Sequence, residues 1–231
     1  MKLFYGEIQG DTVSINEEEQ QHIVKVLRMK EGEEIFVTDG KGSLAKGNLI
    51  IEGKKASLKV LEIETNKPDF SPKLHIAIAP TKMIDRIEFF VEKAVEMGIS
   101  EITILQTEKT ERKNLNIEKI QKQAIAASKQ SLRFHFPKIN NVIKFSDFIK
   151  TLSPETTFVA HCHESLSRTD LNKIPQIENY TFLIGPEGDF SEKEISILAE
   201  MGIKAVSLGS QRLRTETAGI FVAAWNYGKM I

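Results

Sequence analysis

The sequence predicts an α/β protein in two unlike parts: a small β-rich N-terminal part with one helix, then a longer part in which strands and helices alternate. Three observations predict this. Five strand-length runs separated by Gly-containing turns occupy residues 1–68. A polar stretch with two prolines, Asn66 to Lys73, follows them and reads as a linker. Beyond it, apolar runs of strand length take turns with helical periodicity, the pattern of a parallel sheet covered by helices. The expected division is therefore 1–68 and 72–231.

In the first part the strands are LFYGEI, TVSI, EIFVTDG, LAKGNLIIEG and KASLKVLEI. The single helix has Asn16 as its cap, Glu19 at the capping-box position, and Ile23, Val26, Leu27 and Lys30 continuing its face. Together they read as a small β-barrel with an inserted helix.

In the second part LHIAIAP is a strand, and Ile84 to Met97 an amphipathic helix stopped by Gly98. EITILQT, a basic helix ending near Ser131, KINNVI, a short helix from Ser146 and TFVAHC come next. YTFLIG leads into a helix capped by Ser191, with Glu194 completing S-x-x-E and Gly202 closing the end. KAVSLG and a final helix from Thr215 complete the pattern. Within that last helix Ala218 to Trp225, AGIFVAAW, is apolar on every face. One side fits the core, and the other asks for a second subunit.

Composition narrows the class. A hydrophobic content of 41% over 231 residues supports sizeable cores, and no apolar run approaches the length of a membrane span. Cys162 is the only cysteine, so no intrachain disulfide forms, which suits a reducing cytosol. The net charge of −1 hides an asymmetry. Between Lys109 and Lys138 eight basic residues (Lys109, Arg112, Lys113, Lys119, Lys122, Lys129, Arg133, Lys138) face two acidic ones, Glu111 and Glu118. Such a segment has the electrostatic footprint of a phosphate-contacting face.

The most specific chemistry lies in two strand-to-loop junctions, Tyr180 to Glu194 and Ala205 to Gly219. Ligands of open α/β sheets bind beyond the carboxyl ends of strands, so two such loops point to one pocket. Gly185 and Gly188 allow close backbone approach and Pro186 stiffens the turn between them. A polyphosphate cradle would carry amides and a Lys without carboxylates. Here Glu187 and Asp189 sit in the loop, which better suits a neutral or cationic ligand such as an adenosyl sulfonium.

These residues carry a family resemblance. Ile184-Gly185-Pro186-Glu187-Gly188, then Leu208-Gly209 and Leu213-Arg214-Thr215-Glu216-Thr217-Ala218, resemble the knotted SPOUT methyltransferases, and most of all those that act on uracil N3 of 16S rRNA. Lys93 to Gly98 (KAVEMG), Gln130-Ser131-Leu132-Arg133 with Pro137, and His22 with Val26-Leu27-Arg28 are similar to further motifs of that family. The likeness runs nearly end to end. Where the family begins with an Arg near the start, this chain has Lys2, which weakens any RNA contact carried over to that position.

The resemblance implies a PUA-like RNA-binding barrel, a SPOUT domain with a deep trefoil knot, a homodimer and S-adenosyl-L-methionine as cofactor. It implies that Leu183, Ile184, Gly185, Pro186, Glu187, Gly188, Leu208, Gly209, Leu213, Thr215 and Ala218 hold that cofactor. It also implies that His22 and Arg28, with Arg112, Lys119, Lys122 and Arg133 of the basic segment, contact RNA. The implied target is uridine 1498 of 16S rRNA in the small ribosomal subunit. Arg214 is the expected catalytic residue, its guanidinium stabilising charge on a uracil oxygen, and Glu216 orients that arginine or accepts the proton.

His161, Cys162 and His163 look metal-like, with the two histidines on one strand face. A zinc site needs three or four converging ligands and no second cluster has suitable spacing, so no metal is expected. His163-Glu164 reads as a loop near the pocket. Two other functions stay open: a knotted methyltransferase acting on a different rRNA or tRNA nucleotide, and a non-catalytic RNA-binding assembly factor.

Overall fold

The structure is a computed structural model, and it describes residues 1–53, 55–68, 70–163 and 167–230. Asp69 of the expected linker and Glu164 of the expected loop lie outside them. The chain forms two compact units, residues 1–69 with 125–136, and residues 70–124 with 137–231. Residues 125–136 thus group with the first unit rather than with the rest of 72–231.

The first unit is built on a five-stranded sheet of β1 (Leu3–Gln9), β2 (Thr12–Ile15), β3 (Glu34–Thr38), β4 (Ser43–Glu52) and β5 (Lys55–Thr65), in the order β2-β1-β3-β4-β5. The β1–β3 pair is parallel and the others antiparallel, and the edge strands β2 and β5 meet, so the sheet is nearly closed. Alternating side chains (Phe4, Ile35, Val37, Leu49, Leu58) fill its interior.

The inserted helix differs from its sequence pattern. It starts where expected at α1 (Glu17–Gln21), with Asn16 Oδ1 accepting from the Glu19 amide at 3.2 Å. After one turn it widens into a π-helical stretch, His22–Val26. The wider winding shifts the side chains off a 3.6 period, so Ile23 is buried while Val26 and Leu27 face solvent, 65% and 47% exposed. Glu19 does not close a capping box; its carboxylate pairs with Lys129. Residues 134–136 lie on the turn after β3, where Gly42 N–H donates to Phe134 O and Phe136 N–H to Gly40 O.

The second unit holds a wholly parallel seven-stranded sheet. Its strands are β6 (Lys73–Ile78), β7 (Glu101–Gln106), β8 (Lys138–Lys144), β9 (Thr157–Ala160), β10 (Thr169–Asp170), β11 (Asn179–Ile184) and β12 (Lys204–Ser207), in the order β10-β12-β9-β11-β6-β7-β8. The two-residue edge strand β10 leaves no mark in the sequence, because two exposed polar residues show no hydrophobic period. Its helices are α2 (Ile84–Glu96), α4 (Phe145–Phe148), α5 (Glu192–Glu200) and α6 (Thr215–Tyr227), while α3 (Ile117–Gln130) begins in this unit and ends in residues 125–130 of the first. Ser191 and Glu194 form the expected capping box on α5. Gly98 and Gly202, at φ +76° and +78°, end α2 and α5.

Because β11 lies between β9 and β6, the carboxyl ends of β9, β11 and β12 are neighbours, with β9 in the middle of that trio. From β12 the chain returns across the sheet, and α6 packs on α2, β6 and β11. Gly219 sits so close to Phe90 of α2 that a Cβ there would lie 2.5 Å from the ring. On α6, Val222 and Ala223 are buried, whereas Phe221 and Tyr227 face out, as do Met83 and Phe89 at α2. No described helix is long and apolar enough to cross a membrane.

Candidate functional site

The loop after β11, the loop after β12 and the end of β9 enclose one cavity of about 510 Å³. Of the residues expected to hold the cofactor, Ile184, Gly185, Pro186, Glu187, Leu208, Gly209, Leu213, Thr215 and Ala218 line it, and so does Arg214. Leu183 and Gly188 do not. Leu183 belongs to the core behind the wall, and the Gly188 carbonyl accepts from Lys109 Nζ at 3.0 Å on another side of the loop.

The two loops are joined directly. Thr215, in the first turn of α6, donates its hydroxyl to the Gly185 carbonyl at 3.0 Å. A Cβ on Gly185 would press on the Phe190 ring at 3.0 Å, so the glycine allows the loop to fold over its own anchor. Gly209 has φ +130°, a conformation that excludes ordinary side chains. Gly188 has no such constraint. The left-handed residue of the first loop is instead Asp189, at φ +60°. An aspartate tolerates this because its carboxylate bonds locally: Oδ1 accepts from Phe190 N at 2.8 Å and Oδ2 from Cys162 N at 2.7 Å.

The loop carboxylates are less free than their positions in the sequence suggest. Asp189 is held by two amides, and Glu187 accepts from Arg86 Nη1 at 2.9 Å and from Lys82 N at 3.2 Å. They therefore place less uncompensated negative charge in the cavity than expected. Arg86, Arg168, Arg212 and Arg214 line the same cavity. Arg168 donates to the His161 carbonyl at 2.9 Å. Glu216 stands behind the wall rather than in it: it is 7% exposed, Arg86 Nε lies 3.8 Å from its Oε1, and Oε2 has no hydrogen-bond partner among the described residues.

His161 lines the cavity and His163 does not. The His163 amide donates to His161 Nδ1 at 3.2 Å, and the His163 ring bonds the Phe190 carbonyl at 3.0 Å. Burial holds His161 below the usual imidazole range, opposed by nearby Asp189 and reinforced by His163 and Arg168. A neutral ring accepting at Nδ1 carries its proton at Nε2. The described residues contain no group of three or more His, Cys, Asp or Glu able to hold a metal ion.

The residues expected to meet RNA divide between the two units. His22 and Arg28 are exposed on the first, where Arg28 adopts φ +49°. Arg133 is half-buried there and engaged within the protein. On the second, Arg112 gives Nε and Nη2 to the Lys82 carbonyl at 3.1 and 3.0 Å, and Lys119 Nζ lies 2.6 Å from Glu88. Lys122 is exposed and also has a partner. Lys138 pairs with Glu101 at 3.0 Å. Several cations of the basic segment thus serve the fold itself, a use that a count of charges does not reveal.

Sequence reasoning missed Arg86, Arg168, Gln211 and Arg212 in the cavity, and passed over Asp189 and His161 as site residues. Arg86 stands on the first turn of an ordinary amphipathic helix, so its sequence neighbourhood carries no signal. Gln211 and Arg212 lie inside the second signature loop and were open to selection on that ground.

Residues 69–226 match the family model of the RNA methyltransferase domain, and residues 15–62 that of the RNA methyltransferase PUA domain. Over 223 residues the chain is 32% identical to ribosomal RNA small subunit methyltransferase E of Rickettsia conorii, covering 94% of this chain and 89% of the relative. The solved structure of a probable rRNA-methyltransferase from Porphyromonas gingivalis superimposes with a TM-score of 0.89 and 34% identity, covering 99% and 98% of the two chains. A ribosomal RNA small subunit methyltransferase E from Neisseria gonorrhoeae, bound to S-adenosyl methionine, gives 0.84 and 26% identity over 97% and 96%. The PUA and methyltransferase modules implied by the sequence motifs are thus both matched. With its signature loops closing one cavity and most of its length inside the family model, the chain belongs to the RNA methyltransferases, among the relatives named ribosomal RNA small subunit methyltransferase E.

Proposed function

We propose that this protein transfers a methyl group from S-adenosylmethionine to N3 of a uridine in 16S rRNA, with uridine 1498 of the small ribosomal subunit as the target. The observation that carries the reading is the single cavity closed by both Gly-bearing loops, tied by Thr215 and Gly185, with Arg214 at its wall. About 510 Å³ is room for an adenosyl ligand. The names of the relatives, and the S-adenosyl methionine bound in the Neisseria structure, support the same reading. The homodimer, the cytoplasmic setting and the knotted passage of the two loops belong to this proposal.

The residues present suit that ligand. Apolar groups (Ile184, Pro186, Leu208, Leu213) offer a face for an adenine, and the backbone around Gly185 and Gly209 is free of side-chain bulk. S-adenosylmethionine supplies an electrophilic methyl carbon on a sulfonium. Uracil N3 holds a weakly acidic proton, so the chain must favour the anion and align the ring.

Alignment is worth about 7–11 kcal/mol at a reacting distance of about 3–3.5 Å. A positioned base adds about 10²–10⁴-fold, roughly 3–5 kcal/mol. Loop geometry therefore outweighs any single proton acceptor. Arg214, exposed and without a partner among the described residues, is available to donate to a uracil oxygen and to stabilise charge there. Glu216 is buried and faces Arg86 rather than Arg214, so it suits holding the first turn of α6 better than gripping the Arg214 side chain or accepting the proton.

The test compares purified small subunits lacking the modification with naked 16S rRNA as methyl acceptors, and maps the product by mass. Methylation of one uridine in the subunit is the expected result. Methyl transfer to a tRNA alone would favour the knotted-enzyme alternative, and absence of S-adenosylmethionine binding by calorimetry would favour a non-catalytic factor.

A further inference from the structure

We infer that Arg86 is a positioning residue for the transfer, a strut that holds the two cavity loops in register through Glu187 and Glu216. Its kinetic part rests on the proposed methyltransferase reading; its structural part stands on contacts alone. Arg86 belongs to α2, outside both signature loops, yet its guanidinium reaches each. Nη1 donates to Glu187 in the middle of the first loop at 2.9 Å, and Nε lies 3.8 Å from Glu216 in the first turn of α6.

The two carboxylates differ in what they need. Glu187 is exposed and also accepts from the Lys82 amide, so Arg86 fixes its direction more than its charge. Glu216 is buried, one of its oxygens lacks a hydrogen-bond partner among the described residues, and the Arg86 guanidinium is the cation beside it there. A buried carboxylate without a counter-charge is strongly disfavoured, which keeps Arg86 pinned toward α6. The planar fork presents its donors to both groups in fixed directions, whereas a lysine ammonium in its place is a compact point charge without that geometry.

Arg214 is two residues before Glu216, at the N-terminal cap of α6. Fixing Glu216 therefore fixes the turn from which Arg214 projects, while fixing Glu187 fixes the opposite wall. Lys82 extends the tie, since its amide meets Glu187 and its carbonyl accepts the Arg112 fork.

The experiment uses full-length Arg86→Gln, Arg86→Lys and the double variant Arg86→Gln/Glu216→Gln, with amide hydrogen exchange on the unliganded protein beside steady-state kinetics and thermal melting. In both single variants exchange should speed up by about tenfold in residues 185–190 and in residues 208–216, with β11 unchanged. The kcat should fall by about tenfold or more while KM for S-adenosylmethionine stays within about threefold. The double variant removes the unpaired buried charge, so its melting temperature should recover while kcat and loop protection do not. Unchanged exchange in either loop, or recovery of kcat in the double variant, overturns the inference. A wild-type protein that fails to methylate any subunit or RNA sinks the methyltransferase reading instead, and the exchange data still decide whether Arg86 is the strut.

Discussion

The Thr215 hydroxyl donates to the Gly185 carbonyl at 3.0 Å, and both residues are buried, so the two loops that form the cavity share one hydrogen bond at their junction. Thr215→Val keeps the shape and removes the donor, leaving a buried carbonyl unsatisfied. The expected loss of stability is about 1–3 kcal/mol, with S-adenosylmethionine binding weakened about tenfold. Thermal melts and calorimetric titration measure both, and wild-type affinity in that variant would separate the junction from ligand binding.

Arg214→Lys keeps the positive charge and loses the bidentate fork. Since removing a charge-stabilising donor outright costs about 10²–10³ in kcat, the milder change should cost about ten- to a hundredfold. Affinity for the cofactor should stay within about threefold, because the change is aimed at the acceptor base. Single-turnover methyl transfer provides the check, and full activity would remove Arg214 from the chemistry.

Lys119→Glu/Lys122→Glu reverses two exposed charges on α3. RNA affinity should fall and the salt dependence should flatten, by a slope change of about 1–2 for one or two lost phosphate contacts. Because Lys119 also pairs with Glu88 at 2.6 Å, melting curves must accompany the filter-binding titrations. An unaltered slope would assign this basic helix face to the fold alone.

Phe221 on α6 and Phe89 on α2 are 43% and 51% exposed, on helices that pack against each other. A homodimer would cover them, so sedimentation should give a mass near twice 26.1 kDa. Phe221→Asp should shift the equilibrium toward monomer at micromolar concentration. A wild-type mass equal to that of one chain at every concentration would refute the dimer.

Acid should destabilise the fold through two histidines. His75 is pushed below the ordinary imidazole value by burial, opposed by Glu101 and reinforced by Lys138, and His161 by burial as well. Below about pH 6.5 the unfolded chain takes up protons that these folded rings refuse. Stability should therefore be complete above that pH and fall as pH drops toward the lowered folded values. Melting temperatures between pH 8 and 5 test this, and His75→Gln should make the fall shallower. A stability that rises on acidification would contradict the sign.

The strands and most of the helices were legible because periodicity and capping are local. TFLIG announces a buried parallel strand by a nearly unbroken apolar run, and Ser191 with Glu194 closes the capping box its spacing promises. The helix after Asn16 misled for an equally local reason. Val26 and Leu27 continue a 3.6-residue stripe, but the switch to π winding at His22 turns them to solvent. Nothing in single-residue preference signals that switch.

Sequence alone determined the two-part α/β plan, the pair of Gly-bearing loops and the family likeness, because these reside in contiguous residues. Tertiary structure decided which groups meet across distance. It gave Glu187 and Glu216 their shared arginine from α2, tied Asp189 to the Cys162 amide, and turned Arg112 toward a backbone carbonyl. The physical reason is that a charge is read from its letter, whereas its partner is set by packing of segments some 30 to 130 residues away in the chain, as Arg86 and Glu216 show.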